Sequence, residues 1–136
     1  MQKIGSCSVV YARDAETLVY DWGKVKLLST PDFAGGDTMT FGAVVLEEGN
    51  GHERHNHPDA DEIIYVLSGE GDQMLDDRKP VAVGPGAMIY VPRGVYHSTM
   101  NTGSGPLRLL VVYAPAGTEK VLRTLPGVQI LAPGTA

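Results

Sequence analysis

Two histidines that stand two residues apart, His55 and His57, place the strongest constraint on how this chain can fold. Residues at this offset share one face of an extended strand. Two imidazoles on one face can bind a single metal ion, since nitrogen ligands lie about 2.0–2.1 Å from zinc and at similar distances from its neighbours. Pro58 and the aspartates after it then favour a turn. Glu62 opens the following apolar run, so a carboxylate reaches the two histidines from an adjacent segment.

A second segment, residues 86–101, supplies a fourth candidate ligand, His97. The two segments read Gly49-x5-His55-x-His57-x4-Glu62-x6-Gly69 and Gly86-x5-Pro92-x-Gly94-x2-His97-x3-Asn101. This pattern resembles the two sequence motifs of the cupin superfamily of small β-barrel proteins, with every defining position occupied. The 16 residues between the two segments are close to the shortest spacer of that family.

The resemblance implies an all-β fold, an antiparallel conical barrel or jelly roll that is also described as a double-stranded β-helix. It further implies one divalent transition metal ion per chain, with four metal ligands: His55, His57, Glu62 and His97. Together with the apolar terminal segments, which could cover sheet edges, the resemblance implies a homodimer. One fold hosts many reactions, so the resemblance does not imply a single activity.

The composition agrees with many short strands. The 136 residues include 17 Gly and 9 Pro spread along the chain, which is typical of strands joined by tight turns. A net charge of −5 disfavours a nucleic-acid partner, which usually needs a basic face. The apolar runs are too short for a membrane, and the first residues lack an apolar signal-peptide core, so we expect a cytoplasmic protein. Cys7 is the only cysteine, which fits a reducing compartment.

The chain reads as one domain, residues 1–136, with a barrel core at about residues 36–115 and edge strands on either side. Beyond the core, the spacing of apolar residues predicts a short helix that Thr118 caps and Pro126 ends. Residues 128–131 are a candidate edge strand, either of this subunit or of a partner subunit.

The sequence does not decide where Trp22 and His52 lie. Trp22 could pack on the outside of the barrel, at a dimer interface or over the barrel mouth. Since large aromatic side chains usually serve packing, the first two positions are favoured. His52 has the opposite strand parity to His57, and we expect it to line the mouth or face solvent rather than bind metal.

Three imidazoles and one carboxylate form a mixed nitrogen–oxygen ligand set that suits iron, manganese, nickel, cobalt, copper or zinc. Four protein ligands leave one or two coordination positions for water, which a substrate could displace. The cation could then polarise a carbonyl, acidify a hydroxyl or hold dioxygen. Glu62 can serve as a ligand or as a group that moves protons, and the sequence leaves both roles open.

The remaining site candidates are few. Glu62 and Tyr96 are the candidate catalytic residues. Arg108 could pair with a substrate carboxylate or phosphate if its strand face lines the barrel, and otherwise it is a surface residue. Tyr90 and Met88 share a strand face whose direction the sequence leaves open, and they are further candidates for substrate contact, although a Met is more typical of a core.

These features favour a small metalloenzyme acting on a small oxygen-rich substrate, such as a keto acid, diketone, phenol or sugar derivative. Oxygen-dependent cleavage of the dioxygenase type ranks first, because the sequence shows no clear second base for proton transfer. A metal-dependent isomerase, epimerase or lyase is the alternative. A non-catalytic cupin that binds metal or ligand is the third hypothesis.

Overall fold

The computed structural model describes residues 1–134 and consists mainly of short strands. Within these residues the strands are β1 (Gln2–Ile4), β2 (Cys7–Val9), β3 (Thr17–Tyr20), β4 (Gly23–Ser29), β5 (Thr40–Leu46), β6 (Gly51–His55), β7 (Asp61–Ser68), β8 (Gly71–Leu75), β9 (Val81–Val83), β10 (Met88–Val91), β11 (His97–Asn101), β12 (Leu107–Ala114) and β13 (Gln129–Leu131). A 3-10 turn spans Ala12–Asp14, and one short α-helix, α1 (Glu119–Leu122), follows β12. The predicted all-β fold is confirmed.

The strands form two sheets and a separate hairpin. The larger sheet has the order β10-β7-β12-β5-β4-β3-β13, and the smaller one has the order β6-β11-β8-β9. The pairs within both sheets are antiparallel. Residues from both sheets line a common interior, as expected for a jelly roll. The β1–β2 hairpin forms its own two-stranded sheet.

Alternation along the central strands decides which side chains enter this interior. In β7, Glu62, Ile64 and Val66 are buried, whereas the intervening side chains are exposed. β12 follows the same period, with Leu107, Leu109, Val111 and Tyr113 buried. Because successive strand residues point to opposite faces, each strand contributes every second residue to the core.

The outer face of the larger sheet carries a row of exposed apolar side chains. On β7 and β10 these are Ile63, Tyr65, Leu67, Met88 and Tyr90, each at least 40% exposed. In register, Met88 lies opposite Tyr65, and Tyr90 lies opposite Ile63, so the five side chains form one continuous patch. Met88 and Tyr90 therefore face away from the interior, which answers the question of direction that the sequence left open. The expectation that Met88 fills the core is wrong.

The C-terminal segment folds back onto the barrel. β13 pairs with β3 of the same chain, which confirms the predicted edge strand. Thr118 precedes α1, but its side chain makes no capping hydrogen bond. Instead, the buried Glu119 carboxylate accepts hydrogen bonds from the Gly117 N–H (2.7 Å) and the Thr40 hydroxyl (2.6 Å), which ties the segment to β5. Within the described part of the chain, no helix is long and apolar enough to cross a membrane.

Candidate metal centre

Four side chains with metal-binding atoms meet inside the barrel: His55, His57, Glu62 and His97. Their ligand atoms all lie within 4.8 Å of one another. His55 is the last residue of β6 and His97 the first of β11, and the two are direct cross-strand partners. Glu62 reaches the cluster from β7 in the other sheet. The site therefore joins the two sheets.

His57 reaches the cluster from a loop. The sequence predicts that His55 and His57 share one extended strand, but β6 ends at His55. The loop is held by the bend of the second segment, where the Gly94 N–H donates to the His57 carbonyl (2.9 Å) and the Asn56 amide donates to the Gly94 carbonyl (3.3 Å). Gly94 has φ of +81°, a conformation that favours glycine. The Pro92-x-Gly94 bend thus positions a histidine 37 residues earlier in the chain.

Backbone carbonyls orient two of the imidazoles. Nδ1 of His55 lies 2.5 Å from the Glu53 carbonyl, and Nδ1 of His97 lies 3.0 Å from the Val95 carbonyl. An N–H at Nδ1 that donates to a carbonyl leaves the lone pair on Nε2. Metal-binding histidines commonly use such an outer hydrogen bond to fix their tautomer and ring orientation.

Three buried polar atoms of the cluster lack hydrogen bonds. Oε1 of Glu62 lies 3.2 Å from Nε2 of His57 and 2.9 Å from Nε2 of His97. These are ion-pair distances, yet within residues 1–134 no hydrogen bond of acceptable geometry satisfies any of the three atoms. Buried polar atoms are normally paired, so three unpaired ones beside each other call for a ligand. A divalent transition metal fits this donor set of nitrogen and oxygen atoms.

Two of the four ligand residues, His55 and Glu62, have protonation states that suit a cation. Burial lowers the pKa of His55 to about 3, so this imidazole is neutral at pH 7 and keeps its lone pair. Burial works to raise the pKa of Glu62, but the facing His57 and His97 outweigh it and hold the pKa at about 2. Burial likewise works to lower the pKa of His97, but Glu62 outweighs it and raises the pKa. Glu62 is therefore ionised at neutral pH.

A column of stacked rings leads to the cluster from the opposite wall. Trp22 stacks on Tyr20 and on His52, with ring centroids 4.5 and 4.6 Å apart, and the His52 ring lies 3.9 Å from that of His55. Both Trp22 and His52 line the inner cavity. The preference for placing Trp22 on the outside or at a dimer interface is wrong. His52 lies at the mouth as expected, and burial lowers its pKa to about 4.

Tyr113 is a site residue that the sequence reasoning missed. It is buried, its ring meets that of His57 edge-on at 5.0 Å, and it lies directly opposite Glu62 in the β12–β7 register. Burial raises the pKa of its hydroxyl well above the usual value, so the hydroxyl stays protonated. The alternation of β12 pointed to this residue, because Tyr113 lies on the strand face opposite to Arg108.

The structure does not bring the other candidates to the cluster. Tyr96 is 39% exposed and lies under the Arg54 guanidinium, 3.7 Å from the ring centroid. Arg108 is exposed on the outer face of β12, so it is a surface residue and does not line the barrel. Met88 and Tyr90 lie on the outer sheet face described above.

Two spaces adjoin the cluster. The inner cavity, of about 40 Å³, is bounded by Trp22, His52, Glu62, His97 and Tyr113 together with apolar core residues. The outer groove, of about 430 Å³, runs between the loop at residues 56–59 and the C-terminal residues 115–125. His52, His55 and Leu122 border both spaces, so the groove leads to the cavity.

Comparison with known protein sequences gives a consistent family. Residues 42–113 match the model of the cupin domain. Protein SchB of Streptomyces halstedii is 35% identical over 94 residues, which cover 68% of this chain and 67% of that protein. Glucose-6-phosphate isomerase of Thermococcus kodakarensis is 38% identical over 70 residues, which cover 48% of this chain and 37% of the isomerase. The match thus spans little more than a third of that enzyme.

Solved structures agree with this result. The DMSP lyase DddQ from Ruegeria pomeroyi has a TM-score of 0.62 and 27% identity, over 69% of this chain and 47% of the lyase. A predicted oxalate decarboxylase from Thermotoga maritima has a TM-score of 0.68 and 25% identity, over 79% of this chain and 99% of that one. The chain covers about half of the lyase and nearly all of the decarboxylase-like protein.

Proposed function

Because the chain belongs to the cupin family, we propose that it is a metal-dependent enzyme that moves a proton on a small oxygen-bearing substrate, as lyases and isomerases do. Relatives named as lyase, isomerase and decarboxylase support this class. The residues that would hold the ion are His55, His57, Glu62 and His97, whose ligand atoms converge. Of these atoms, Oε1 of Glu62 and Nε2 of His57 and His97 have no hydrogen-bond partner in the described residues.

The observation that carries the proposal is the pairing of Tyr113 with Glu62 across β12 and β7. Directly opposed residues on antiparallel strands have Cβ atoms about 4.5–5.5 Å apart, and both side chains line the inner cavity. Their pKa values are shifted in opposite directions, to about 2 for Glu62 and well above 10 for Tyr113. At neutral pH Glu62 is therefore ionised and Tyr113 is protonated, which are the forms that a base and an acid need.

The two groups would divide the proton transfer between them. The ionised Glu62 carboxylate can accept a proton, and the protonated Tyr113 hydroxyl can donate one to a developing negative charge on a substrate oxygen. A divalent ion at the site would polarise the same oxygen. The apolar residues around the cavity exclude water from this step.

Oxygen-dependent cleavage is the second candidate. The sequence favoured it because no second proton-moving group was evident, and Tyr113 weakens that argument. The specific observation in its favour is the small inner cavity, about 40 Å³, beside a ligand set that also suits redox-active iron or manganese. A non-catalytic cupin that binds metal would use Glu62 as a ligand and would not need the Tyr113 hydroxyl.

The first experiment is elemental analysis of untagged protein purified without chelators. We expect about one transition metal ion per chain, and we expect it to be lost in the His55→Ala/His57→Ala variant. No bound metal in the wild-type protein, even after reconstitution, would contradict the proposal.

The second experiment is a substrate screen in air and under strict anaerobiosis. Turnover that persists without dioxygen supports proton-transfer chemistry, and turnover that stops supports a dioxygenase. Tyr113→Phe should lower kcat by roughly 10²–10⁴-fold and leave the metal content unchanged. Tyr11→Phe makes the same change at an exposed tyrosine that borders neither space and should have no effect.

We also propose that the protein is a homodimer and that it acts in the cytoplasm. The exposed apolar patch on β7 and β10 supports the dimer, since contiguous apolar patches of this kind commonly mark interfaces. The C-terminal strand covers an edge of its own sheet, so the patch is the better interface than the terminal segments that the sequence suggested.

A further inference from the structure

The shape of the two connected spaces restricts the substrate. A cavity needs roughly 10–15 Å³ of such volume to hold one water molecule, so the inner space of about 40 Å³ has room for only a few atoms. Any larger molecule that reaches the four-residue cluster must extend into the outer groove, because His52, His55 and Leu122 border both spaces.

The walls of the outer groove are mainly apolar. Its C-terminal wall includes Pro115, Val121, Leu122 and Leu125. Val121 is 60% exposed, so this wall presents an apolar side chain to the groove. The charged side chains that border the groove, Asp59 and Lys120, are exposed and opposite in sign, so the groove has no net preference for an anion or a cation.

The inner cavity has neither Lys nor Arg among the described residues that border it, and Glu62 is its one acidic group. A phosphate or a second carboxylate placed there would be desolvated without a partner, apart from the metal itself, and such burial of charge is strongly unfavourable.

From these three observations we infer the class of substrate: a small oxygen-bearing head group that reaches the metal site, joined to an uncharged, largely apolar tail that lies in the outer groove. This inference rests on the proposed function. It excludes phosphorylated sugars, and it separates this chain from relatives that are named for a sugar phosphate.

The test uses alkyl hydroxamates from two to eight carbons, because their head group chelates a divalent ion through two oxygens. Their dissociation constants are measured by calorimetry on protein reconstituted with Zn²⁺. We expect affinity to rise about fourfold with each added methylene until the groove is filled, since each buried methylene has a similar transfer free energy. Replacing the tail end with a phosphonate should abolish the gain.

Val121→Asp provides the variant. A carboxylate on the groove wall should weaken the eight-carbon hydroxamate at least tenfold and leave acetohydroxamate unchanged. Val81→Asp is the matched control, since Val81 is 58% exposed on β9 and borders neither space.

The outcomes distinguish a failure of the proposed function from a failure of the inferred substrate class. If acetohydroxamate itself does not bind the reconstituted protein, the metal site and the proposed function fail. If acetohydroxamate binds but the affinity stays constant from two to eight carbons, the inferred substrate class is wrong. The groove would then be covered by something other than a substrate tail, such as a second copy of the chain. Tighter binding of the phosphonate than of the alkyl compound would also overturn it.

Discussion

Asn101 offers the sharpest test of how the barrel holds the strand that carries His97. It is 2% exposed at the end of β11, and its side-chain amide donates to the carbonyls of Leu46 (3.0 Å) and Gly105 (2.8 Å). Its side-chain carbonyl accepts from the Gly103 N–H (3.0 Å). Asn101, the last position of the second sequence segment, therefore links β11 to the end of β5 and to the loop at residues 103–105, and it is not a ligand.

Asn101→Asp keeps the size of the side chain and replaces its donor by an acceptor. Two hydrogen bonds are lost, at about 1 kcal/mol each, and two buried carbonyls are left facing an oxygen, which adds roughly 1–3 kcal/mol. We expect the free energy of unfolding to fall by roughly 3–5 kcal/mol. At about 2.1 cal/mol/K per residue, a chain of 136 residues has an unfolding entropy near 0.29 kcal/mol/K, so Tm should fall by roughly 10–17 °C.

Denaturant and thermal unfolding measure this loss, and pH adds a second check. Burial raises the pKa of the introduced carboxyl in the folded state, so the loss should be smaller at pH 5 than at pH 8, because the protonated form can donate one hydrogen bond. Asn50→Asp is the control, since Asn50 is exposed and donates one hydrogen bond, to the Glu48 carbonyl (3.1 Å). Equal effects of the two substitutions, or a loss at Asn101 below about 1 kcal/mol, would refute the reasoning.

Four further predictions concern the site and the assembly. At a free metal concentration 100 times Kd, the holoprotein should gain about 2.7 kcal/mol, and Tm should rise by roughly 9 °C, whereas His55→Ala/His57→Ala should show no shift in calorimetry. The pKa values of His52 and His55 are lowered to about 4 and about 3, so the unfolded state takes up protons before the folded state does. Metal-free protein should therefore lose stability as pH falls from about 6.5 toward 4. His52→Phe should reduce this pH dependence in urea titrations, and an unchanged dependence would contradict the prediction. Trp22, the only tryptophan, should lose fluorescence on addition of Cu²⁺ up to one equivalent, and quenching that continues without saturation would indicate non-specific binding. Ile63→Lys should convert the dimer to monomer in sedimentation experiments, and a wild-type monomer would remove the basis for this expectation.

The resemblance of the two segments to the cupin motifs implied the all-β fold and the four residues that meet inside it. The residues themselves indicated a turn after His57, a strand that begins near Glu62 and a bend before His97. Gly94, for example, is needed for its positive φ, and such a local backbone requirement can be predicted without knowing which residues lie across the barrel.

What the sequence did not yield depends on contacts between distant segments. Alternation in β12 shows that Arg108 and Tyr113 lie on opposite faces, but only the pairing of β12 with β7 decides which face is interior. The same holds for Tyr90 on β10. Trp22 was misplaced because its partner, His52, is 30 residues away, and no local pattern indicates that the two rings stack.

The outer groove has an implication for how such a chain can change its activity. All four residues of the candidate metal centre lie within residues 42–113, which match the family model, whereas the C-terminal wall of the groove, residues 115–125, lies outside it. Under the proposed function, reactivity and substrate selectivity would be encoded in separate stretches, and the second could vary without disturbing the first. Libraries randomised at the exposed positions of 115–125, but not at the buried Glu119 and Leu122, should retain the metal centre while accepting new substrates.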